Sequence, residues 1–374
     1  MSRTAVAILS TENLLHNLRV IKQHVHPAKI IAMVKANAYG HGIRSVSQRL
    51  DGHVDMLGVA SIDEALALRK AGVKAAILLV EGVFEANELL IASTENFHVV
   101  FHNEKQMEWL SKCALPRPLY AWLKINTGMG RLGFSVDAAV VAYTALLNHK
   151  YIAKPVRVMS HFGCADEKDH VFNQKQKDAF NHFLGITSYE TACLNANQER
   201  SFCNSAALFN FPECHYDFVR PGIALYGVSP IGGVSASELG LKPVMTLQTS
   251  IISIQSMKKG DSIGYGGRYI CSVDMPVGII AFGYGDGYPI TAKDGTPILV
   301  NNSECPLVGR VSMDMIAVDL RGVSAHVGDT AVLWGDGLPI ERVMSHTMNI
   351  TYDMLTGVQH RVKFLWTQVS NEGD

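Results

Sequence analysis

What most constrains this chain is a change of texture near residue 235. From about residue 12 to residue 230, short apolar runs alternate with segments of helical periodicity; beyond it, strands follow one another between Gly/Asp turns. The apolar runs are Ile30–Val34, Met56–Ala60, Ala75–Val80, Phe97–Phe101, Leu119–Ile125, Pro155–Met159, Thr191–Leu194 and, more weakly, His215–Val219. Between most of them lie helical patterns such as Glu104–Cys113 and Val136–Asn148. Thr11–His24 carries Leu14, Leu15, Leu18 and Ile21 on one face behind a Ser10/Thr11 cap. A further helix is expected to open with Ser61, Asp63 and Glu64 after the second run. Strands apolar on both faces and separated by helices imply a parallel sheet covered on both sides. About eight such units over roughly 220 residues favour a closed (β/α)8 barrel over an open doubly wound sheet.

After the change, Val244–Ser256 alternates, and turns are marked by "KKGDS", "GYGGR", "GYGDGYP", "KDGTP", "NNS", "HVGDT" and "WGDG". The expected fold class is therefore α/β: a (β/α)8 barrel over residues 10–232, then a mostly-β domain over 233–374. The boundary is placed in the Gly/Ser-rich stretch 229–240, and 374 residues suit two cores better than one.

The formal charge is −1 and no Lys/Arg stripe is evident, so neither nucleic acid nor an anionic membrane is an expected partner. Ala5–Leu9 is too short for a signal-peptide core, and no apolar run reaches membrane length. Seven cysteines (113, 164, 193, 203, 214, 271 and 305) are scattered and form no CxxC pair. Reduced thiols and a cytoplasmic address are the expectation, with no zinc site.

Lys35 ends the run Ile30–Val34, which places it at the C-terminal mouth of the first barrel strand, where barrel enzymes keep their chemistry. An amine at the edge of a low-dielectric interior loses charge more readily and can condense with an aldehyde. A lysine that merely ends a strand and pairs with a carboxylate is the competing reading. "GMGRLG" (128–133) matches GxGxxG, but the next run carries no acidic residue to hold a ribose. It reads as a tight loop bringing Arg131 toward the mouth. "SHFGCADEKDH" (160–170) has metal-ligating residue types without metal-site spacing, so only His161 stands out, at a strand end. Asn204 and Ser205 in "CNSAALF" begin an expected helix, and "VRPGIALYG" sets Arg220 at the end of the eighth run with Gly222 and Ile223 after it. Loops after strands seven and eight are where barrels commonly bind phosphate.

Eight segments in order, "VKANAYGHG" (34–42), "LKINTGMGRLGF" (123–134), "SHF" (160–162), "NSAA" (204–207), "VRPGIALYG" (219–227), "GYGGRY" (264–269), "GYGDGYP" (283–289) and "GRVSMDM" (309–315), make the chain resemble alanine racemases over nearly its whole length. The resemblance implies a TIM-like barrel, a β-domain joined by an N-terminal strand at about residues 2–8, and a head-to-tail homodimer with shared active sites. It implies that Lys35 carries pyridoxal 5'-phosphate (PLP) and acts as one of two bases, with Tyr265 of the other subunit opposite. Tyr39, Ser205, the backbone N–H groups of Gly222 and Ile223, and Tyr352 would hold the phosphate, and Arg220 the pyridine nitrogen. Arg131 and the Met313 backbone would fix the substrate carboxylate. His161 would link Arg220 with Tyr265, and Lys124, often carbamylated in the family, would hold Arg131. The family often has Arg where this chain has Ile290, a position in the substrate's access route together with Asp166, Tyr284 and Arg310.

The implied reaction is the interconversion of L- and D-alanine, to supply D-alanine for peptidoglycan or to degrade it. A broad-specificity or serine racemase of the same family is the nearest alternative. A barrel-type PLP decarboxylase would be expected to place a carboxylate at the pyridine nitrogen, and Arg220 argues against it. A non-catalytic PLP carrier on the same barrel would lack residues 240–374.

Overall fold

The computed structural model describes residues 3–193 and 198–367. A strand β1 (Val6–Ser10) comes first, and eight parallel strands follow: β2 (Lys29–Met33), β3 (Met56–Val59), β4 (Ala76–Leu79), β5 (His98–Phe101), β6 (Leu119–Lys124), β7 (Ile152–Met159), β8 (Arg200–Ser201) and β9 (Phe218–Val219). They close in sequence order, β9 returning to β2 through Lys29 opposite Phe218 and Ile30 opposite Val219. Helices pack outside, and their starts follow the capping residues. Ser10 accepts from the N–H of Asn13, Ser61 from that of Glu64, and Ser135 from that of Ala138. Each such cap contributes about 1 kcal/mol by satisfying an amide that the first helical turn leaves unpaired.

Alternation along the strands divides the buried side chains into two shells. Ile30, Ala32, Leu57, Ile77, Leu79, Val99, Phe101, Ala121 and Leu123 face the helices. Ile31, Met33, Met56, Leu78, Val80, Val100, Trp122, Met159 and Phe218 fill the inside. The barrel is thus plugged by side chains below its mouth, as barrels of this size are.

Two expected strands shift. Thr191–Cys193 continues the long helix Val171–Cys193 instead of forming the seventh strand, and Leu194 lies outside the described residues. The seventh barrel strand is Arg200–Ser201, two polar residues whose register is fixed by pairing with Val158 and Met159. The eighth shrinks from His215–Val219 to Phe218–Val219, because Pro212–Cys214 forms a 3-10 turn just before it.

The N-terminal strand is Val6–Ser10, later than the expected 2–8, of which Ser2 lies outside the described residues. It belongs to the β-domain, antiparallel to β10 (Met245–Met257) and parallel to Lys363–Thr367. Ser10 ends this strand and caps the barrel's first helix, so the two units are joined without a spacer there. Strands 330–334, 297–300 and 303–306 extend the sheet on the other side of β10, and 275–280 with 316–319 branch from its second half. Leu247, Ile251, Ile280, Phe282, Ile298 and Trp334 form the core of this domain, which also takes in Ile223 and Val228 from the barrel's last loop. Residues 229–240 carry neither helix nor strand.

Candidate active site

The chain leaves β2 through Val34 and makes an unusual turn. Ala36, Asn37, Ala38 and Tyr39 all have φ between +51° and +55°, one turn of left-handed helix built without glycine. Each such residue costs about 1–2 kcal/mol, so the turn must be held from outside. Glu64 accepts from the N–H of Ala36 and, with its other oxygen, from that of Ala60, both at 2.8 Å. The Asn37 carboxamide accepts from the N–H of Ile43 at 2.9 Å. The turn leaves Lys35 at the mouth of the barrel and swings the Tyr39 ring under the last loop, stacked on Tyr226 at 5.0 Å and tilted against Tyr352 at 6.0 Å.

Above the plugged barrel opens a cavity of about 820 Å3 lined by Lys35, Tyr39, Lys124, Arg131, His161, Ser205, Arg220, Gly222, Ile223 and Tyr352. Ten of the twelve residues expected to serve cofactor, substrate or proton transfer therefore share one space, with Asn204 and Asp166 also in its lining. The other two, Tyr265 and Met313, do not line it. Both lie on the β-domain, 70% and 52% exposed.

At one end, Ser205 Oγ accepts from the N–H of Gly222 at 2.8 Å. A Cβ at Gly222 would lie 2.3 Å from the Tyr39 hydroxyl, so that hydroxyl occupies the space a side chain would need. Burial pushes the Tyr39 phenol well above its ordinary range, with Tyr352 adding to it; the Tyr352 phenol is pushed up to about 12 by burial and then by Asp166. Both stay protonated at neutral pH, and so both can donate to an anion.

At the other end, Arg220 is buried and its guanidinium is spent on fixed acceptors. It donates to Ser201 Oγ at 2.6 Å, Ser160 O at 2.5 Å and Phe202 O at 3.2 Å, and lies 3.2 Å from His161 Nδ1. Burial lowers its pKa to about 10, which still leaves it charged. His161 is held well below its ordinary pKa by burial, then by Arg220, Lys124, Arg131 and Lys35, and is therefore neutral. Lys124, 8% exposed, falls to about 8 through burial and then repulsion from Arg220, Arg131 and Lys35, opposed by Glu81.

Arg131 is carried by the glycine loop. Asn126 Oδ1 accepts from the N–H groups of Gly128 and Gly130 at 3.1 and 3.0 Å, and Phe134 returns its N–H to Lys124 O at 3.0 Å. Gly133 (φ +121°) would set a Cβ 2.6 Å from Asn126 N, so only glycine closes the loop there. In the segment 160–170, as elsewhere among the described residues, no three His, Cys, Asp or Glu side chains are grouped so that they could hold a metal ion. The six described cysteines are free thiols.

Two contributors escaped the sequence reading. Glu81 stands just beyond the C-terminal end of β4 with Oε1 3.4 Å from Lys35 Nζ, and Glu64 props the left-handed turn. Glu81 was accessible in principle, since it directly follows the run Ala75–Val80 at the mouth. Nothing in the sequence pairs Glu64 with Ala36.

The cavity suits pyridoxal phosphate. Its lining offers hydroxyl and amide donors in a cradle that a Cβ at residue 222 would fill, a primary amine and a fixed guanidinium, one set for the phosphate, one for the aldehyde and one for the ring nitrogen. Buried Lys124 and Arg220, with Lys35 and the exposed Arg131, outnumber Glu81 and leave that part of the cavity net cationic, while Asp166 and Asp353 are exposed. Such an interior favours phosphate and carboxylate groups.

Comparison with known proteins agrees with this geometry. Residues 9–230 match the family model "Alanine racemase, N-terminal domain", and residues 244–366 match "Alanine racemase, C-terminal domain". The alanine racemase of Vibrio vulnificus is 44% identical over 367 residues, 98% of this chain and 100% of that protein. The biosynthetic alanine racemase of Escherichia coli is 41% identical, covering 96% of this chain and 98% of its own. The crystal structure of biosynthetic alanine racemase from Pseudomonas aeruginosa superposes with a TM-score of 0.92 at 39% identity, over 98% of this chain and 100% of that one. The alanine racemase of Bartonella henselae with covalently bound pyridoxal phosphate gives 0.84 at 28%, over 97% and 99%.

Proposed function

As the chain belongs to the alanine racemase family, we propose that it moves the alanine Cα proton with two side chains, Lys35 and the Tyr265 of a second protomer. The reaction it catalyses is the interconversion of L- and D-alanine. The observation that carries the mechanism is the Lys35 amine, open to the cavity and framed by Lys124, Arg131 and Arg220.

Pyridoxal phosphate, when bound, supplies a conjugated system that delocalises the charge left on Cα after proton loss. Lys35 would hold it, and Tyr39, Tyr352, Ser205 and the N–H groups of Gly222 and Ile223 would bind its phosphate. Arg220 would face the pyridine nitrogen. A guanidinium has donors only and does not readily release a proton, so Arg220 would leave that nitrogen unprotonated and the electron sink weaker, which would favour return of the proton over side reactions. Arg131, with the backbone of the partner's Met313, would fix the alanine carboxylate.

Inversion requires a proton acceptor on one face of Cα and a donor on the other, and one side chain cannot reach both. Lys35 serves one face. Among the described residues the phenols that line the cavity are Tyr39 and Tyr352, their rings 6.0 Å apart and Tyr39 packed against Gly222, where the phosphate would bind. Tyr265 is the residue offered outward, on a turn whose Gly264 lies beside Arg310. Exposed Tyr284, Ile290, Met313, Met315, Met348 and Ile350 lie on three arms of the β-domain, residues 283–291, 312–315 and 346–350. Those arms are tied together, Tyr284 N–H to Ser312 O at 3.0 Å and Met348 N–H to Thr291 Oγ1 at 3.2 Å. An apolar face of this kind supports a homodimer in which each protomer completes the other's site.

A Lys124 amine with pKa about 8 is about one-tenth neutral at pH 7, against roughly 0.04% at an ordinary 10.4. That supports carbamylation of Lys124, the resulting anion holding Arg131. No helix among the described residues is long and apolar enough to cross a membrane, which supports a cytoplasmic address. The biosynthetic E. coli relative supports a role in supplying D-alanine for peptidoglycan. The mechanism is tested by Lys35→Ala, which should lose both turnover and the yellow colour of the holoenzyme. A variant that stays yellow and active removes Lys35 from it.

A further inference from the structure

Two of the motifs, "GYGDGYP" (283–289) and "GRVSMDM" (309–315), meet on a buried charge. Asp286 is fully enclosed, and its Oδ2 takes a hydrogen bond from Arg3 Nη2 at 2.7 Å and from the N–H of Gly283 at 2.9 Å. Its Oδ1 lies 2.9 Å from Arg361 Nε, an ion pair without hydrogen-bond alignment. Arg361 also reaches across to Asp314 Oδ1 at 2.5 Å, and Arg3 donates to Asp314 O at 3.2 Å. Two arginines from opposite ends of the chain thus clamp two carboxylates from two loops.

The clamp holds the loops in close contact. Gly285 donates its N–H to Met313 O at 2.8 Å and Tyr284 to Ser312 O at 3.0 Å. A Cβ at Gly283 would sit 2.3 Å from Ser312 O and 2.4 Å from Met313 O, so the backbones touch with no room for a side chain. None of the four charged residues lines the cavity of its own chain. A buried carboxylate is tolerated only when paired and hydrogen-bonded, and such a network rigidifies what it joins.

We propose that Asp286, Arg361, Arg3 and Asp314 form a charge-locked scaffold that fixes the Met313 backbone and Tyr284 in the position from which one protomer completes its partner's active site. The four are positioning residues acting in trans, and the assignment rests on the shared-site reading above. Arg361→Gln removes the one side-chain bridge that joins the Asp286 and Asp314 carboxylates at 2.9 and 2.5 Å, leaving Arg3 and the backbone contacts to hold the loops less firmly, so that Met313 can drift. Misplacing a binding group by an ångström costs up to about 10²-fold. The Arg361→Gln homodimer should therefore show KM for alanine raised by about tenfold or more, kcat less affected, and an unchanged cofactor spectrum. Arg361→Lys should recover part of the loss. Asp314→Asn, at a half-exposed carboxylate, gives the same split if Arg361→Gln folds poorly.

Hybrid dimers decide whether the effect acts in trans. Two differently tagged chains are co-expressed and the mixed dimer isolated. A control hybrid of Lys35→Ala with Tyr265→Ala should regain about half of wild-type kcat, since one of its two sites keeps both residues. Lys35→Ala paired with Arg361→Gln should do the same with wild-type KM, because the surviving lysine faces an intact arm. If the control hybrid stays inactive, the shared site fails and action in trans fails with it. If the control recovers but the Arg361→Gln hybrid keeps the raised KM of its parent, the scaffold alone is overturned, as it is if Arg361→Gln leaves KM unchanged.

Discussion

Replacing Lys124 with Met should stabilise the cofactor-free protein in bicarbonate-free buffer near pH 7. The side chain is 8% exposed at the end of β6, among Arg220, Arg131 and Lys35, and its pKa drops from 10.5 to about 8. Methionine keeps the unbranched stem and removes the charge. At ~1.4 kcal/mol per pH unit, the drop corresponds to about 3 kcal/mol by which the folded state disfavours the ammonium. The sign follows from linkage. The folded pKa lies below the unfolded one, so the penalty is fully present below pH 8 and relieved as pH rises from 8 toward 10.5. Urea denaturation of wild type and Lys124→Met should therefore differ by a few kcal/mol at pH 7, with the gap closing toward pH 10.5. Equal stabilities at pH 7, or a gap that does not change with pH, would refute the burial argument. With bicarbonate restored the order should reverse, because the carbamate pairs with Arg131 while methionine does not. Electron density ending at Nζ in crystals grown with bicarbonate would dismiss the carbamate.

Gly222→Ala should weaken cofactor binding by about tenfold or more, because its Cβ would sit 2.3 Å from the Tyr39 hydroxyl and push it out of the phosphate end; spectroscopic titration of apoprotein checks this, and unchanged affinity would mean that the cradle is not the phosphate site. Tyr265→Ala should leave cofactor binding intact and reduce racemisation by about 10²–10⁴-fold, the usual contribution of a positioned acid–base group; polarimetry from either enantiomer reads it, and unimpaired exchange in both directions dismisses the phenol.

Much of this architecture was legible because a barrel strand buried on both faces leaves a plain mark. Ile30–Val34, Met56–Ala60, Phe97–Phe101 and Leu119–Ile125 are mainly apolar runs, and the strands fall within them but for Lys29 at the start of the first. Arg200–Ser201 was invisible because two polar residues are a strand only through their neighbours in the closed sheet. Thr191–Cys193 misled because a short apolar run reads equally well as a helix end. The left-handed turn at 36–39 could not be read from "ANAY", whose residues ordinarily avoid positive φ; Glu64, 28 residues from Ala36, makes it tenable. Cavity residues at strand ends (Lys35, His161, Arg220) were placed by strand logic. Lys124, Tyr265 and Met313 came from motif resemblance alone, the last two being residues that do not line the cavity of their own chain.

The amine that carries the cofactor can be identified directly. Holoenzyme reduced with borohydride, digested and mapped by mass spectrometry should bear the phosphopyridoxyl group on the peptide containing Lys35. The same label on the Lys124 peptide, or none on either, would contradict the account.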